Sequence, residues 1–369
     1  MANELIDEYN PESVSHPGTT LEDVLEERGM SQAELCERTG RPKKTINEIL
    51  KGKASITPET ALQFERVLGI PASFWNNRQR QYDESLARGK EAENLQAFVP
   101  WLESFPCIAD MVKKNWLPQG KSPVLILDAL LAFFGINSPD EWEGVWGKPK
   151  LQAALRDSAS IKTDQFALAA YLRKAELIAS SMECGSYDKL NFRTALDAIR
   201  ALTIEEPGVW KTKVVALCAE AGGAVVFLPL IKGVHVNGAT RWLSPNRALL
   251  VLSLRGKKED IFWFSFFHEA AHILLHGKKL VFIESDGPKT AAEAEADSFA
   301  QDFLVQEADW RAFTKKGKVP DKEEILPFAK HHGISPAIVI GRLQHEGLLP
   351  QGSSLNAMKR SIAFDEVYG

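Results

Sequence analysis

His268, Glu269 and His272 form the pattern H-E-x-x-H inside the apolar run Phe266-Phe267-His268-Glu269-Ala270-Ala271-His272-Ile273-Leu274-Leu275-His276. Side chains four apart on a helix share a face, with Cβ atoms roughly 5–6 Å apart, so both imidazoles can reach one metal ion. Zinc suits that donor type and spacing. Glu269 then points beside the ion. A carboxylate there can take a proton from bound water, whose pKa zinc lowers from about 15.7 towards 7. The pattern predicts a hydrolase. The competing reading is a core helix whose histidines do nothing, and a third ligand decides between the two.

Such a ligand is available 21 residues beyond His272. The run Thr290–Ala300 is rich in Ala and free of Gly and Pro, and reads as a second helix carrying Glu293, Glu295 and Asp297. Glu293 and Asp297, four apart, share a face, whereas Glu295 lies about 200° from Glu293 around the axis and is expected in solvent. Glu293 would complete a His-His-Glu site with a fourth position open for water. Asp297 would accept the second ring N–H of a ligating histidine and fix its tautomer. His276 extends the series, but on a continuous helix it stands roughly 12 Å from His268, too far to share zinc. It is expected at the helix C-terminus or along the cleft. The donor that stabilises a developing oxyanion is unassigned, with Arg241, His276 and His345 as candidates.

The elements that must position these residues are mixed. Helical runs at 187–202 and 210–222 are followed by β-like stretches at 224–231 and 248–254, so a small sheet precedes the motif helix. The apolar strand Leu249–Ser253 is expected to offer an edge to extended peptide. Residues 84–186 read as mostly helical, with periodic runs at 125–134 and 166–178 and tryptophans Trp101, Trp116, Trp142 and Trp146 as packing residues. Cys36, Cys107, Cys184 and Cys218 follow no C-x-x-C spacing and fit reduced, packed thiols. The 369 residues are 44% hydrophobic and 25% charged. With no run near 18 apolar residues and no export-like N-terminus, the expectation is a cytoplasmic protein with no membrane association.

Net charge is −5, but its distribution is uneven: residues 1–27 hold eight acids and no Lys or Arg, while residues 28–53 hold seven basic against three acidic residues. Within the basic stretch, Ser31 three residues before Glu34 reads as a capping box, Gly40 precedes a turn, and Lys43–Leu50 reads as a short helix with Ile46, Ile49 and Leu50 inward. Thr57-Pro58-Glu59 opens a further helix. Two short helices about a Gly turn, the second bearing Lys43, Lys44, Thr45, Asn47 and Lys51 outward, match the layout that reads a DNA major groove. The sequence from Gly29 to Trp75 resembles the Xre-type helix-turn-helix of HigA-like antitoxins and regulators, and the resemblance covers about residues 15–83. The resemblance implies a homodimer on a double-stranded operator, in some cases with a toxin partner, and implies DNA contacts at Gln32, Lys43, Lys44, Thr45, Asn47 and Lys51.

The C-terminal part, from Gly238-Ala239-Thr240-Arg241-Trp242-Leu243-Ser244-Pro245 through the histidine motif to Glu293–Ala300, resembles the ImmA/IrrE family of metallo-endopeptidases over about residues 190–345. That resemblance implies zinc on His268, His272 and Glu293, Glu269 as the catalytic base, and a protein substrate such as a helix-turn-helix repressor. Ala270-Ala271 stand where Leu-Gly is common, and Phe303–Gln306 lacks the Pro that often ends the Glu helix; neither removes a ligand. The expected fold is α+β and mostly helical: an all-α helix-turn-helix domain at 1–85, a helical middle at 86–186, and a zincin-like domain with a small sheet at 187–369. The expected function is a DNA-binding regulator with a zinc endopeptidase domain; the alternative is a non-catalytic antitoxin or repressor whose peptidase-like domain senses or scaffolds.

Overall fold

The computed structural model describes residues 14–120, 122–147, 163–253, 258–277, 282–284, 290–315 and 319–362; the chain divides into two compact units, Met1–Val99 and Pro100–Gly369. Three helices of the first unit start where a side chain supplies an acceptor for free backbone N–H groups. The His16 ring caps α1 (Pro17–Glu27), Ser31 caps α2 (Gln32–Thr39), and Thr57 with Pro58 behind it opens α4 (Pro58–Leu68). Between α2 and α3 (Lys43–Leu50) stands Gly40 at φ +67°, a left-handed conformation that a side chain would strain. Ser31 accepts from the Glu34 N–H at 3.1 Å, but the Glu34 carboxylate turns to Arg38 at 2.6 Å rather than back to the cap. The apolar faces of these helices and of α5 (Ala72–Gln96) enclose Leu21, Leu35, Ile46, Ile49, Phe64 and Trp75, each with no exposed surface. Leu50 is only partly buried.

In the second unit, α6 (Ile108–Lys113), α7 (Pro123–Phe134) and α8 (Gln165–Ser181) accompany an aromatic cluster. Trp101, Phe105, Phe134, Trp142 and Phe166 form it, with ring centroids 4.8–5.5 Å apart, so these tryptophans are packing residues. The stretch Pro123–Glu141 reaches a mean hydropathy of 1.3, yet α7 ends after 12 residues. A helix of that length spans about 18 Å, short of the about 30 Å of a bilayer core.

Beyond α9 (Lys189–Ala201) and α10 (Pro207–Glu220) comes a four-stranded sheet of order β1-β3-β2-β4: β1 (Gly223–Phe227), β2 (Gly238–Ser244), β3 (Arg247–Leu252) and β4 (Phe282–Glu284). β1 runs parallel to β3, and β2 is antiparallel to both β3 and β4. The strand expected to present a peptide-binding edge, β3, is instead paired on both sides. Its unbroken buried run Ala248–Leu252 is what a strand covered on both faces looks like in sequence. β2 and β4 carry no such run and were not anticipated as strands. Among the described residues, α11 (Glu259–Leu275) is followed by four further helices, α12 (Ala291–Leu304), α13 (Glu307–Thr314), α14 (Lys322–His332) and α15 (Pro336–His345).

The core of this unit is organised around α11, which is buried along most of its length and packs against α12, α15 and β2. A helix apolar on nearly every side can only be central. Its first residue, Glu259, has no exposed surface and accepts from Arg360 Nε at 2.7 Å, from the Arg360 N–H at 3.0 Å and from Ser335 Oγ at 3.2 Å. The start of the helix is thereby tied to the C-terminal segment. Ala270 and Ala271 on α11, and Ala296 and Ala300 on α12, are all fully buried.

Candidate metal centre and nucleic-acid interface

His268 and His272, one turn apart on α11, face α12 and are 2% and 1% exposed. Their Nε2 atoms lie 3.1 Å apart. Glu293, in the first turn of α12, brings one carboxylate oxygen to 2.9 Å from His268 Nε2 and the other to 3.4 Å from His272 Nε2. The donor atoms of these three side chains all lie within 4.8 Å of one another. Asp297, one turn further along α12, puts Oδ1 2.9 Å from His268 Nδ1. Burial of His272 lowers its pKa, with Glu293 opposing. Burial works to raise the Glu293 carboxyl, but hydrogen bonding to the two imidazoles prevails and holds it at about 2. At neutral pH His272 is therefore a neutral imidazole and Glu293 an ionised carboxylate, the states in which such groups bind metal.

Glu269 has no exposed surface and lies against β2. The Thr240 hydroxyl donates to its Oε2 and also lies 3.1 Å from its backbone carbonyl. A Cβ at Gly238 would come within 2.6 Å of Glu269 Oε1, so only glycine leaves room for the carboxylate there. The sequence reading gave Thr240 and Gly238 no role, because β2 has no run of apolar residues to betray it. The three oxyanion candidates separate. Arg241 is paired with Glu176 of α8, His276 ends α11, and His345 is exposed with its ring 6.5 Å from that of Phe264. His276 Nδ1 is 2.9 Å from His272 Nδ1, and its Nε2 is 3.2 Å from Glu295 Oε2. Glu295 is mostly exposed, as expected, but is engaged.

In the first unit, Lys43 and Lys44 open α3 and Lys51 follows it, all three exposed, while Thr45 and Asn47 are half-buried on the same helix and Gln32 begins α2. The Lys44 side chain is 84% exposed, with its Nζ 3.9 Å from Glu48 one turn on. Two other cations of the basic stretch have partners within the unit: Arg38 pairs with Glu34, and Arg41 reaches Glu59 at 3.2 Å and Gln63 at 2.6 Å. The positive face thus centres on α3.

Comparison with known proteins divides along the same line. A family profile described as "Helix-turn-helix" matches residues 21–75, and one described as "IrrE N-terminal-like domain" matches residues 222–344. Virulence-associated protein I of Dichelobacter nodosus is 33% identical over 86 residues, covering 23% of this chain and 79% of that protein. An uncharacterized HTH-type transcriptional regulator, YddM, of Escherichia coli K12 is 31% identical over 79 residues, covering 21% and 82%. A solved structure described as an addiction module antidote protein of a HigA family from Coxiella burnetii is 32% identical and covers 23% of this chain and 92% of that chain, with a TM-score of 0.21. The chain belongs to the Xre-type helix-turn-helix family through its N-terminal unit and carries, in its C-terminal unit, a domain of the IrrE N-terminal-like peptidase family.

Proposed function

We propose that the chain is a DNA-binding regulator whose C-terminal domain is a zinc-dependent endopeptidase acting on a regulatory protein. The observation that carries this reading is the convergence of two Nε2 atoms and one carboxylate from two helices, with spacings of 2.9–3.4 Å. Tetrahedral bonds of about 2.1 Å separate donor atoms by roughly 3.4 Å, so the set suits zinc with little adjustment. Zinc held by His268, His272 and Glu293 would supply the Lewis acidity that makes a water nucleophilic at neutral pH. Asp297 would keep the His268 proton on Nδ1, leaving Nε2 bare towards the ion. Glu269 would accept the proton of the attacking water and pass it to the leaving amine. Its presence favours catalysis over a structural site, which needs no base beside the ligands.

At the other end, α3 would enter the major groove, with Lys43, Lys44 and Lys51 on phosphates and Gln32, Thr45 and Asn47 towards bases. The domain boundaries proposed for these roles are 1–85 for DNA reading, 86–186 for a helical middle and 187–369 for peptidase chemistry. Two expectations attach to this reading: a homodimer on the operator, and a toxin or a repressor among its protein partners.

The test compares new protein N-termini in cells expressing the wild type or Glu269→Gln. Cleavage sites that appear with the wild type and vanish with the variant support an endopeptidase. Identical sets of N-termini would refute it.

A further inference from the structure

His276 and Glu295 have no part in the chemistry above, yet the two lie end to end against a ligating histidine. We infer that His276, backed by Glu295, is the positioning residue that orients His272 for metal binding. The inference rests on the metal reading of the preceding subsection and extends it to residues the ligand set does not include.

Each imidazole that presents a bare Nε2 to a cation must carry its proton on Nδ1, and that N–H needs an acceptor. For His268 the acceptor is Asp297, 2.9 Å from Nδ1. For His272 the group 2.9 Å from Nδ1 is Nδ1 of His276. Two ring nitrogens at that distance share one proton, so if His272 donates, His276 Nδ1 is the acceptor and its own proton sits on Nε2. That Nε2 lies 3.2 Å from Glu295 Oε2, a charged acceptor. Every proton in the chain His272, His276, Glu295 then has one place and one partner.

The geometry also explains why a second imidazole is needed. Glu293 and Asp297 share the face of α12 that meets the site, and Glu295 lies on the other side, mostly in solvent. His276 spans that gap. It stands at the C-terminal cap of α11 with extended backbone (φ −108°, ψ 165°), its N–H on the His272 carbonyl at 3.2 Å, so its ring folds back along the helix it terminates. Phe282 of β4 stacks on His272 with centroids 4.0 Å apart and planes 13° from parallel, and lies 5.1 Å from the His276 ring. The stack limits rotation of the very ring whose tautomer the relay fixes.

The experiment measures zinc affinity of the full chain by chelator competition, with zinc alone as the probe. Loss of such an outer partner typically weakens metal binding 10–100-fold, and His276→Ala is expected in that range. His276→Gln, whose amide oxygen can accept from His272 Nδ1, should recover much of the loss, and Glu295→Ala should weaken binding by a smaller factor. The cobalt-substituted wild type should show two shifted, exchangeable ring N–H resonances, and His276→Ala should keep that of His268 and lose that of His272. A purely structural role for His276 would leave both. Wild-type affinity in His276→Ala with both resonances present overturns the inference. Should that variant not fold, Glu295→Ala decides, because unchanged affinity there overturns it equally. A wild type that binds no zinc would instead sink the metal reading itself, so the two failures are distinct.

Discussion

The two units use polar residues in opposite ways. Helix α3 holds Lys43 and Lys44 in solvent above a core of Ile46 and Ile49, whereas α11 holds His268, Glu269 and His272 inside, each 2% exposed or less. Surface cations act by summation, each contributing little and each screened by salt. Buried donors act jointly, because every atom must have a partner and removing one strands the others. The comparison predicts that single changes in the second unit are severe and specific, and that single changes in the first are graded.

Glu269→Gln should give the largest effect. It removes the base and leaves the three donors, so zinc content should stay at the wild-type level while cleavage falls about 10²–10⁴-fold. Zinc content and turnover falling together would mean that Glu269 holds the site together rather than working in it. Next is Arg360→Ala, which takes the guanidinium away from the fully buried Glu259 at the start of the motif helix. Breaking one side of a buried pair costs about 3–5 kcal/mol, readable as a lower urea midpoint of the second unit. A midpoint within experimental error of the wild type would show that the backbone N–H and Ser335 suffice.

In the first unit, replacing Lys43 and Lys44 together by Ala should weaken binding to DNA and reduce the salt slope by about 2, at roughly 0.9 per phosphate contact. An unaltered slope would move the interface off α3. Thr57→Ala is the smallest: loss of the cap on the Thr60 N–H should cost about 1 kcal/mol in the unfolding of this unit, without changing the slope.

Local patterns were legible and distant contacts were not. The helix caps at Ser31 and Thr57, the Gly40 turn and the four-residue spacing of His268 and His272 are short-range and follow from helix geometry. Pairing Glu293 with Asp297 on one face also needed only helical periodicity, and the structure brings both to His268. What sequence reading missed depends on partners far apart in the chain. Thr240 meets Glu269 across 29 residues, and Glu259 meets Arg360 across 101. β2 hid because Gly238, Ala239 and Arg241 interrupt any apolar alternation, and the sheet position of β3 could not be inferred from its composition without knowing that β2 exists. Glu295 is mostly exposed, as its place on the helix implies, and the one thing its own helix does not show is its contact with His276 at the C-terminal cap of α11.

The central claim is that His268, His272 and Glu293 together hold one zinc ion. Elemental analysis of the purified full chain after dialysis against metal-free buffer tests it most directly. The account predicts one zinc per chain in the wild type and a near-complete loss in Glu293→Ala; a wild type free of zinc under conditions where zinc was supplied would contradict it.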